Sequence, residues 1–593
     1  MKIVILNWAP IWRGAHLGGG VNGYLNALAP ELAANGHDVT AISAGLLHTR
    51  HPQGCLSRRH DDFRGVRVIE IINSPVLAPA AAQFREPMSE VSAPELETEL
   101  ERLLMLIKPD IAHWHNIEGF SAGCIDICRR VGAKVVYSLH NYHTLCSQVT
   151  LCKGHEKPCH NFDSGHACST CIDAPDPYSE RLRRQDEFVA GQESSRLHLE
   201  KQRALALAHL KHELSWPKRI VHRTYAFMNA HIAVRRAGGE HLAHTLPGKA
   251  IESPIDLAVD PVRQIYSLPL LDTDRLGQAY AARAGPALTN EAHRDPSSDR
   301  LLGAHARRRA AMVSMLNRCD KVLAVSDFVR MKYVAEGVDS SRIITQHIGT
   351  SCAEHTIRGF SPNNRTNTLR LVFLGFNHFN KGLPLLLTAL QGMPGEALRQ
   401  ISLSIYAPGV QSIGPSFRKL HPPLSELHIR DRYERTDLPS ILGGHDLCYV
   451  GSSWWDPLPQ TVLESLSFGV PVLGAQAGGI PDAVQEGKNG FLFRANDPAA
   501  LRRRIQDALE CFGTDNWPSE IDRPKSIPEH SRELIDLYRS LVQLHDHGTS
   551  QDAYTLPRTS NRRFGTDSSS GESRHLHSAP SISCPPLQTE TSS

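Results

Sequence analysis

Asp456 and Glu464 stand eight residues apart in the segment Trp455-Asp-Pro-Leu-Pro-Gln-Thr-Val-Leu-Glu464. The preceding Leu447-Cys-Tyr-Val450 is a short apolar run of strand type, and Thr461 to Phe468 has the apolar spacing of a helix start. Asp456 is therefore expected in a strand-to-helix loop and Glu464 about a turn into the helix, so both carboxylates can face one cleft. Pro459 suits the opening of a helix, where its missing N–H would have been orphaned anyway. The amides of Gln460, Thr461 and Val462 then lack intrahelical acceptors and point out of the helix start, an arrangement that attracts phosphate. Carboxylates for hydroxyl groups beside an amide-rich helix end suit a ligand carrying both hydroxyls and phosphate.

The helix is followed by Gly469-Val-Pro471-Val472 and then by Gly478-Gly479-Ile-Pro-Asp482. This ordered string is similar to the donor-binding motif of glycosyltransferase family 4, whose members have the GT-B fold of two facing Rossmann-like domains. The family motif is an acidic residue, seven others, Glu, a small-residue helix, a Gly-Xaa-Pro-Val strand and a Gly-Gly-Xaa-Pro-Glu turn. Glu464, Gly469 to Val472 and Gly478-Gly479 match it, whereas Asp456 replaces the usual first Glu and Asp482 the usual last.

The resemblance implies an α/β enzyme that moves a hexose or related sugar from a nucleoside diphosphate sugar to a hydroxyl of a glycan or lipid-linked acceptor, with retained anomeric configuration. It also implies roles for single residues. Lys381, in Gly375-Phe-Asn-His-Phe-Asn-Lys381-Gly382, is the expected diphosphate ligand, although Phe376 stands where the family has an arginine. Glu464 would accept hydrogen bonds from the ribose, Asp456 from the sugar, and Gln460, Thr461 and Val462 would meet the diphosphate. His140, in Ser138-Leu-His140-Asn141, would lie on the other side of the sugar, with Asn141 in place of an acid often found there. Catalytic roles thus fall on His140, Asp456 and Glu464, and no metal is expected at the donor because cations and helix ends offset its charge. Two rivals follow from the departures at Phe376 and Asp456 and from the fold: a GT-B sugar-nucleotide epimerase, and a silent paralogue acting as a binding partner.

Gly18-Gly-Gly20-Val-Asn-Gly23 formally satisfies a dinucleotide fingerprint, yet residues Asn7 to Leu17 separate it from the first strand, far more than that tight turn allows. The family's longer loop, with Gly19 and Gly20 near donor phosphate and acceptor, fits better. Asp110-Ile-Ala-His113-Trp-His115 ends another strand, and its histidines are expected to shape the cleft, with the orienting of an acceptor by one of them left open.

Cys146, Cys152, Cys159, Cys168 and Cys171 crowd one window. Cys168-Ser-Thr-Cys171 is a two-residue knuckle suited to tetrahedral zinc, which Cys152 and Cys159 would complete. Free thiols, an iron–sulfur group or disulfides remain open beside structural zinc, though reduced thiols or metal are favoured where no export signal is read.

The chain has 593 residues, 41% apolar and 21% charged, with a formal charge of +2. That length calls for two or three domains, and the charge gives no reason to expect nucleic acid. The apolar start Met1-Lys-Ile-Val-Ile-Leu-Asn reads as a strand rather than a leader, so a cytoplasmic location is expected, with peripheral attachment to the inner face of a membrane left open. Continuous apolar runs at Ile3–Leu6, Val39–Ile42, Val66–Ile72, Ile111–His113 and Val135–Tyr137, and again from Val322 to Leu473, predict buried parallel strands in two sets. The expected domains are residues 1–350 on the acceptor side, 351–525 on the donor side and a helix at 526–545 that crosses back. The first holds a cysteine-rich loop at 146–171 and a helical insertion at 172–310. Within that insertion Leu207, Leu210 and Leu214 share a face, and Arg307-Arg-Arg309 suggests a solvated basic surface, with anionic lipid as a rival reading. Residues 546–593, rich in Ser, Thr, Pro and His, are expected to be disordered.

Overall fold

β-Branched residues, buried on both faces of the central strands, build two separate, mainly parallel sheets. The computed structural model describes residues 1–50, 54–154, 157–191, 303–354, 368–420 and 423–549. Leu207, Leu210, Leu214 and most of the expected tail lie outside the described residues.

The first sheet uses β1 (Lys2–Leu6), β2 (Asp38–Ala44), β3 (Leu56–Phe63), β4 (Val66–Ile72), β5 (Ile111–Trp114) and β6 (Lys134–Leu139). A two-stranded hairpin, β7 (Cys152–Lys153) and β8 (Lys157–Pro158), stands apart from it. The sheet is completed by β9 (Lys321–Ala324) and β10 (Ile343–Thr345), in the order β10-β9-β6-β5-β1-β2-β4-β3. Every pairing in it is parallel except that of β3 with β4.

The second sheet comprises β11 (Leu369–Leu374), β12 (Ile401–Tyr406), β13 (Glu426–Arg430), β14 (Leu447–Val450), β15 (Val472–Ala475) and β16 (Gly490–Phe493). Its order, β13-β12-β11-β14-β15-β16, is the doubly wound pattern in which the chain reverses direction between β11 and β14. Ligands of such sheets lie beyond the carboxyl ends of the strands at that reversal.

The helices that frame these sheets include α1 (Gly19–Ala34), α2 (Pro94–Ile107), α3 (Gly123–Arg130), α4 (Ala304–Leu316), α5 (Asp327–Ala335), α6 (Leu383–Gln391), α7 (Gln460–Ser467), α8 (Pro498–Cys511) and α9 (Ile527–Thr549). Residues Met1–Gln543 form one compact unit that contains both sheets. The α9 side chains Ile527, Leu534, Ile535 and Tyr538 join the core of the first sheet, not that of the second. Trp454, Leu458 and Leu463, from the loop and helix after β14, also enter the first core. The loops beyond the strand ends therefore meet across a shared cleft, and the architecture is the GT-B arrangement. None of the described helices is long and apolar enough to cross a membrane.

The basic stretch on α4 departs from expectation. Arg308 is buried and pairs with Glu90, which also accepts from His143 at 2.9 Å. Arg309 pairs with Glu336 and lies 4.1 Å over the Phe162 ring. These guanidinium groups are engaged within the fold, because a buried carboxylate needs a cation more than the surface does.

Candidate active site

Lys381 and Asp456 meet at the reversal between β11 and β14. A short turn over Phe379–Lys381 after β11 presents the lysine, whose Nζ donates to Asp456 Oδ2 at 2.8 Å. Ser452 Oγ donates to the same oxygen at 3.3 Å, and Lys381 Nζ lies 5.8 Å from the Trp454 ring centroid. The Asp456 residue is only 5% exposed, so the ammonium group is held by a desolvated carboxylate beside an aromatic face.

The Asp456 loop is fixed from behind by the glycine turn after β15. Gly479 N–H donates to Asp456 O at 2.8 Å, while Gly478 has φ of +58° and a Cβ there would sit 2.0 Å from that carbonyl. Only glycine permits this approach. Across the cleft, Ser326 Oγ donates to Pro457 O at 2.7 Å, and the Asp482 carboxylate accepts from the Phe328 amide at 3.3 Å, at the start of α5. The acid that closes the family-like motif thus caps a helix of the other half.

Pro459 precedes α7, as its lack of an N–H allows, and leaves the Gln460 and Thr461 amides without intrahelical acceptors. The third expected amide is not available: Val462 N–H already donates to Pro459 O at 3.1 Å, because the first turn is tightened. The glycine loop of the first half reaches this helix end. A Cβ on Gly20 would stand 3.2 Å from Gln460 Cγ, so that position faces the donor-side helix directly. The long loop before it is pinned by Asn22, whose Nδ2 donates to Pro10 O and Gly14 O, each at 2.9 Å. Gly19 lies at the start of α1 with nothing near its missing Cβ.

Glu464 projects one turn further along α7. Its side chain is 13% exposed, burial raises its pKa, and the Arg435 guanidinium 4.0 Å away offsets part of that effect. A desolvated carboxylate of this kind gains from hydroxyl donors.

His140 belongs to a buried cluster of rings. Its Nε2 is 3.0 Å from His115 Nδ1, and its ring centroid is 5.3 Å from that of Tyr24. His113 bonds Ser138 Oγ at 2.8 Å and Tyr538 OH at 2.5 Å, and Tyr24 OH meets His530 Nε2 at 2.7 Å. His113 of β5 and Tyr24 of α1 are thus tied to α9, whose His530, Leu534 and Tyr538 recur at four-residue spacing on one face.

Burial, then the charge of His530, lowers His140 to about 3, and burial holds His113 and His115 well below their usual value of 6.5. Such imidazoles take up protons more readily in the unfolded chain. Their contribution to stability is therefore full above about pH 6.5 and shrinks as pH falls toward the folded values. Calorimetric melting should show a falling Tm from about pH 7.5 to about pH 5.5, with a shallower fall in H115Q.

The site residues Lys381, Asp456, Gln460, Thr461 and Gly20 are therefore gathered at one strand-end cleft. Cys152, Cys159, Cys168 and Cys171 lie in the segment after β6, around a different cavity. Arg435, Ser452, His530 and Tyr538 were not singled out from the sequence. A two-turn spacing on one helix face was the signal for the last two, whereas nothing local marks Arg435.

The Glycosyltransferase Family 4 profile matches residues 18–163, and the Glycosyl transferases group 1 profile matches residues 360–517. Among curated relatives, the chain is 47% identical over 144 residues to a D-inositol 3-phosphate glycosyltransferase of Streptomyces avermitilis, covering 21% of this chain and 26% of the relative. It is 21% identical over 245 residues to a putative colanic acid biosynthesis glycosyltransferase of Escherichia coli, covering 38% and 58%. The chain thus spans less than two thirds of these relatives. Among solved structures, Anabaena HepE in complex with UDP aligns with a TM-score of 0.43 at 13% identity, over 93% of this chain and 100% of that one. A glycosyltransferase from Rickettsia africae aligns at 0.47 and 12%, over 91% and 98%. With one profile on each half of the chain, and the motif residues of the second gathered at its strand-end cleft, the protein belongs to glycosyltransferase family 4.

Proposed function

We propose that the protein is a retaining glycosyltransferase that moves a sugar from a nucleoside diphosphate sugar to a hydroxyl of a glycan or lipid-linked acceptor, in polysaccharide or glycoconjugate synthesis. The observation that carries this reading is the Lys381–Asp456 pair standing at the sheet reversal beside the open amides of α7.

Lys381 and the Gln460 and Thr461 amides bind the diphosphate and neutralise the charge that grows on it as the glycosidic bond breaks. Glu464, desolvated and without a close ionic partner nearer than Arg435 at 4.0 Å, accepts the ribose hydroxyls. Asp456 takes both of its described side-chain bonds on Oδ2, and Oδ1 is the oxygen offered to a sugar hydroxyl. His140 stays neutral at physiological pH, so it hydrogen-bonds the sugar without setting a cation beside the positive charge that develops on the ring. The departing phosphate oxygen takes the acceptor proton on the same face. No donor-side metal is required by this scheme. Gly19 and Gly20 keep the acceptor side of the cleft open close to α7.

The test is consumption of nucleotide sugars with and without acceptor glycans. Transfer should require an acceptor, and E464A should lose it while its Tm is kept. An isomeric sugar formed without acceptor would instead establish the epimerase, and no consumption of any donor would establish a silent paralogue.

A further inference from the structure

Cys146, Cys152, Cys159, Cys168 and Cys171 have no part in the donor chemistry proposed above, yet they come together. The hairpin of β7 and β8 sets Cys152 opposite Pro158 and delivers Cys159, whose N–H donates to Leu151 O at 2.6 Å. Further on, Cys171 N–H returns to Cys168 O at 3.1 Å, closing Cys168-Ser-Thr-Cys171 into a tight turn. Cys146, Cys152, Cys159, Cys168 and Cys171 line one cavity of about 20 Å³, enough for a single ion or water.

Several independent observations bear on what fills it. Cys171 Sγ accepts hydrogen bonds from Gly154 N–H at 3.4 Å and Gln148 Nε2 at 3.3 Å, donors that stabilise a thiolate. Arg309 and Lys153 stand on the cavity wall, where they offset the negative charge of a multi-thiolate site. The thiols themselves make only weak contacts. Cys152, Cys159 and Cys171 aim S–H groups at the carbonyls of Thr150, Asn161 and Cys152 over 3.6, 3.6 and 3.7 Å. The backbone is also constrained: Val149, Leu151, Asp163 and Ser164 have φ of 79°, 50°, 50° and 48°. Residues other than glycine keep such conformations only where their surroundings enforce them. Among the described residues no three potential ligands are yet drawn to metal distance, so binding requires the thiols to turn away from those carbonyls.

We propose that this segment binds one zinc ion through Cys152, Cys159, Cys168 and Cys171. Cys152 is chosen over Cys146 because the Cys171 sulfur rests on the turn that Cys152 opens, touching Cys152 O and Gly154 N. Binding releases the thiol protons to solvent and replaces three weak S–H contacts with metal–thiolate bonds. The ion would fix the wall of the cleft, because His160 within the same segment stands edge-on to Trp455, 4.9 Å between centroids, next to Asp456.

Full-length protein produced with zinc in the medium should carry about one equivalent of the metal. Replacement by cobalt(II) should give tetrahedral d–d bands and thiolate charge transfer. C152S, C159S, C168S and C171S should each lose the metal and the spectrum, and C146S should keep both. Metal-free protein whose five thiols all react with Ellman's reagent, or peptides joined by disulfides among these cysteines, would overturn the site. Loss of metal in C146S but not in C152S would overturn the ligand set. The cobalt spectrum of the unaltered chain decides the matter even if a serine variant fails to fold, and no outcome depends on transferase activity.

Discussion

K381A should lower turnover by about a hundred- to a thousandfold, read as kcat against the donor sugar, and should lower the melting temperature as well. Under the proposed role the ammonium group acts where charge appears in the transition state, so its loss should fall on kcat more than on KM. The geometry adds a second cost. Asp456 is 5% exposed and receives Lys381 at 2.8 Å, so removing the cation leaves a buried carboxylate supported by Ser452 alone among its described side-chain bonds. D456N, which keeps the shape and removes the charge, should lose less than K381A if the lysine acts mainly on the diphosphate. Because Phe376 is exposed where the resemblance leads one to expect an arginine, Lys381 would carry more of that burden under the proposed assignment. Equal activity of K381A and the unaltered enzyme would refute the assignment.

R308A should destabilise the fold by about 3–5 kcal/mol, measured by chemical denaturation, because it strands Glu90 in the core. Glu90 and His143 are 2% and 0% exposed, and the arginine is 1% exposed, so the carboxylate left behind stays far from bulk solvent. The pair also sets a pH dependence. Burial alone would raise the Glu90 carboxyl, but Arg308 and then His143 outweigh it and bring it to about 2 from 4.5. A carboxyl depressed in the folded state stabilises the protein above its unfolded pKa, and this contribution is lost as pH falls from about 4.5 toward 2. R308A should therefore flatten the acid limb of the stability curve. Unchanged denaturation midpoints would contradict the buried-pair account.

The strands at the centre of each sheet were legible because burial on both faces leaves continuous apolar runs, as in Ile3–Leu6 and Leu371–Leu374. The edges were not. β3 contains Ser57-Arg-Arg-His-Asp-Asp62 and pairs antiparallel with β4, and β13 alternates exposed and half-buried residues at the rim of the second sheet. Such segments carry loop-like composition, and only pairing makes them strands. At the site, the residues on one continuous motif, Asp456 to Thr461, could be read together, since spacing along a loop and helix fixes their neighbourhood. Their partners could not. The Lys381–Asp456 bond, the Arg435 contact with Glu464 and the Asp482 cap on α5 join positions 75, 29 and 154 or more residues apart, which no local spacing encodes. Arg307 is exposed as a solvated face requires, but Arg308 was misread for the same reason: Glu90, its inward partner, lies 218 residues earlier.

The ring contacts of α9 carry an implication for how this polypeptide is made. His113 hydrogen-bonds Tyr538, and Tyr24 hydrogen-bonds His530, so the interior of the first sheet is closed by side chains synthesised more than 400 residues later. A ribosome releasing the chain from its amino end exposes that imidazole-lined gap until α9 has been made, and folding of the leading half is completed only once α9 has emerged. Truncation before residue 526 should accordingly yield an aggregation-prone product even though both sheets remain encoded.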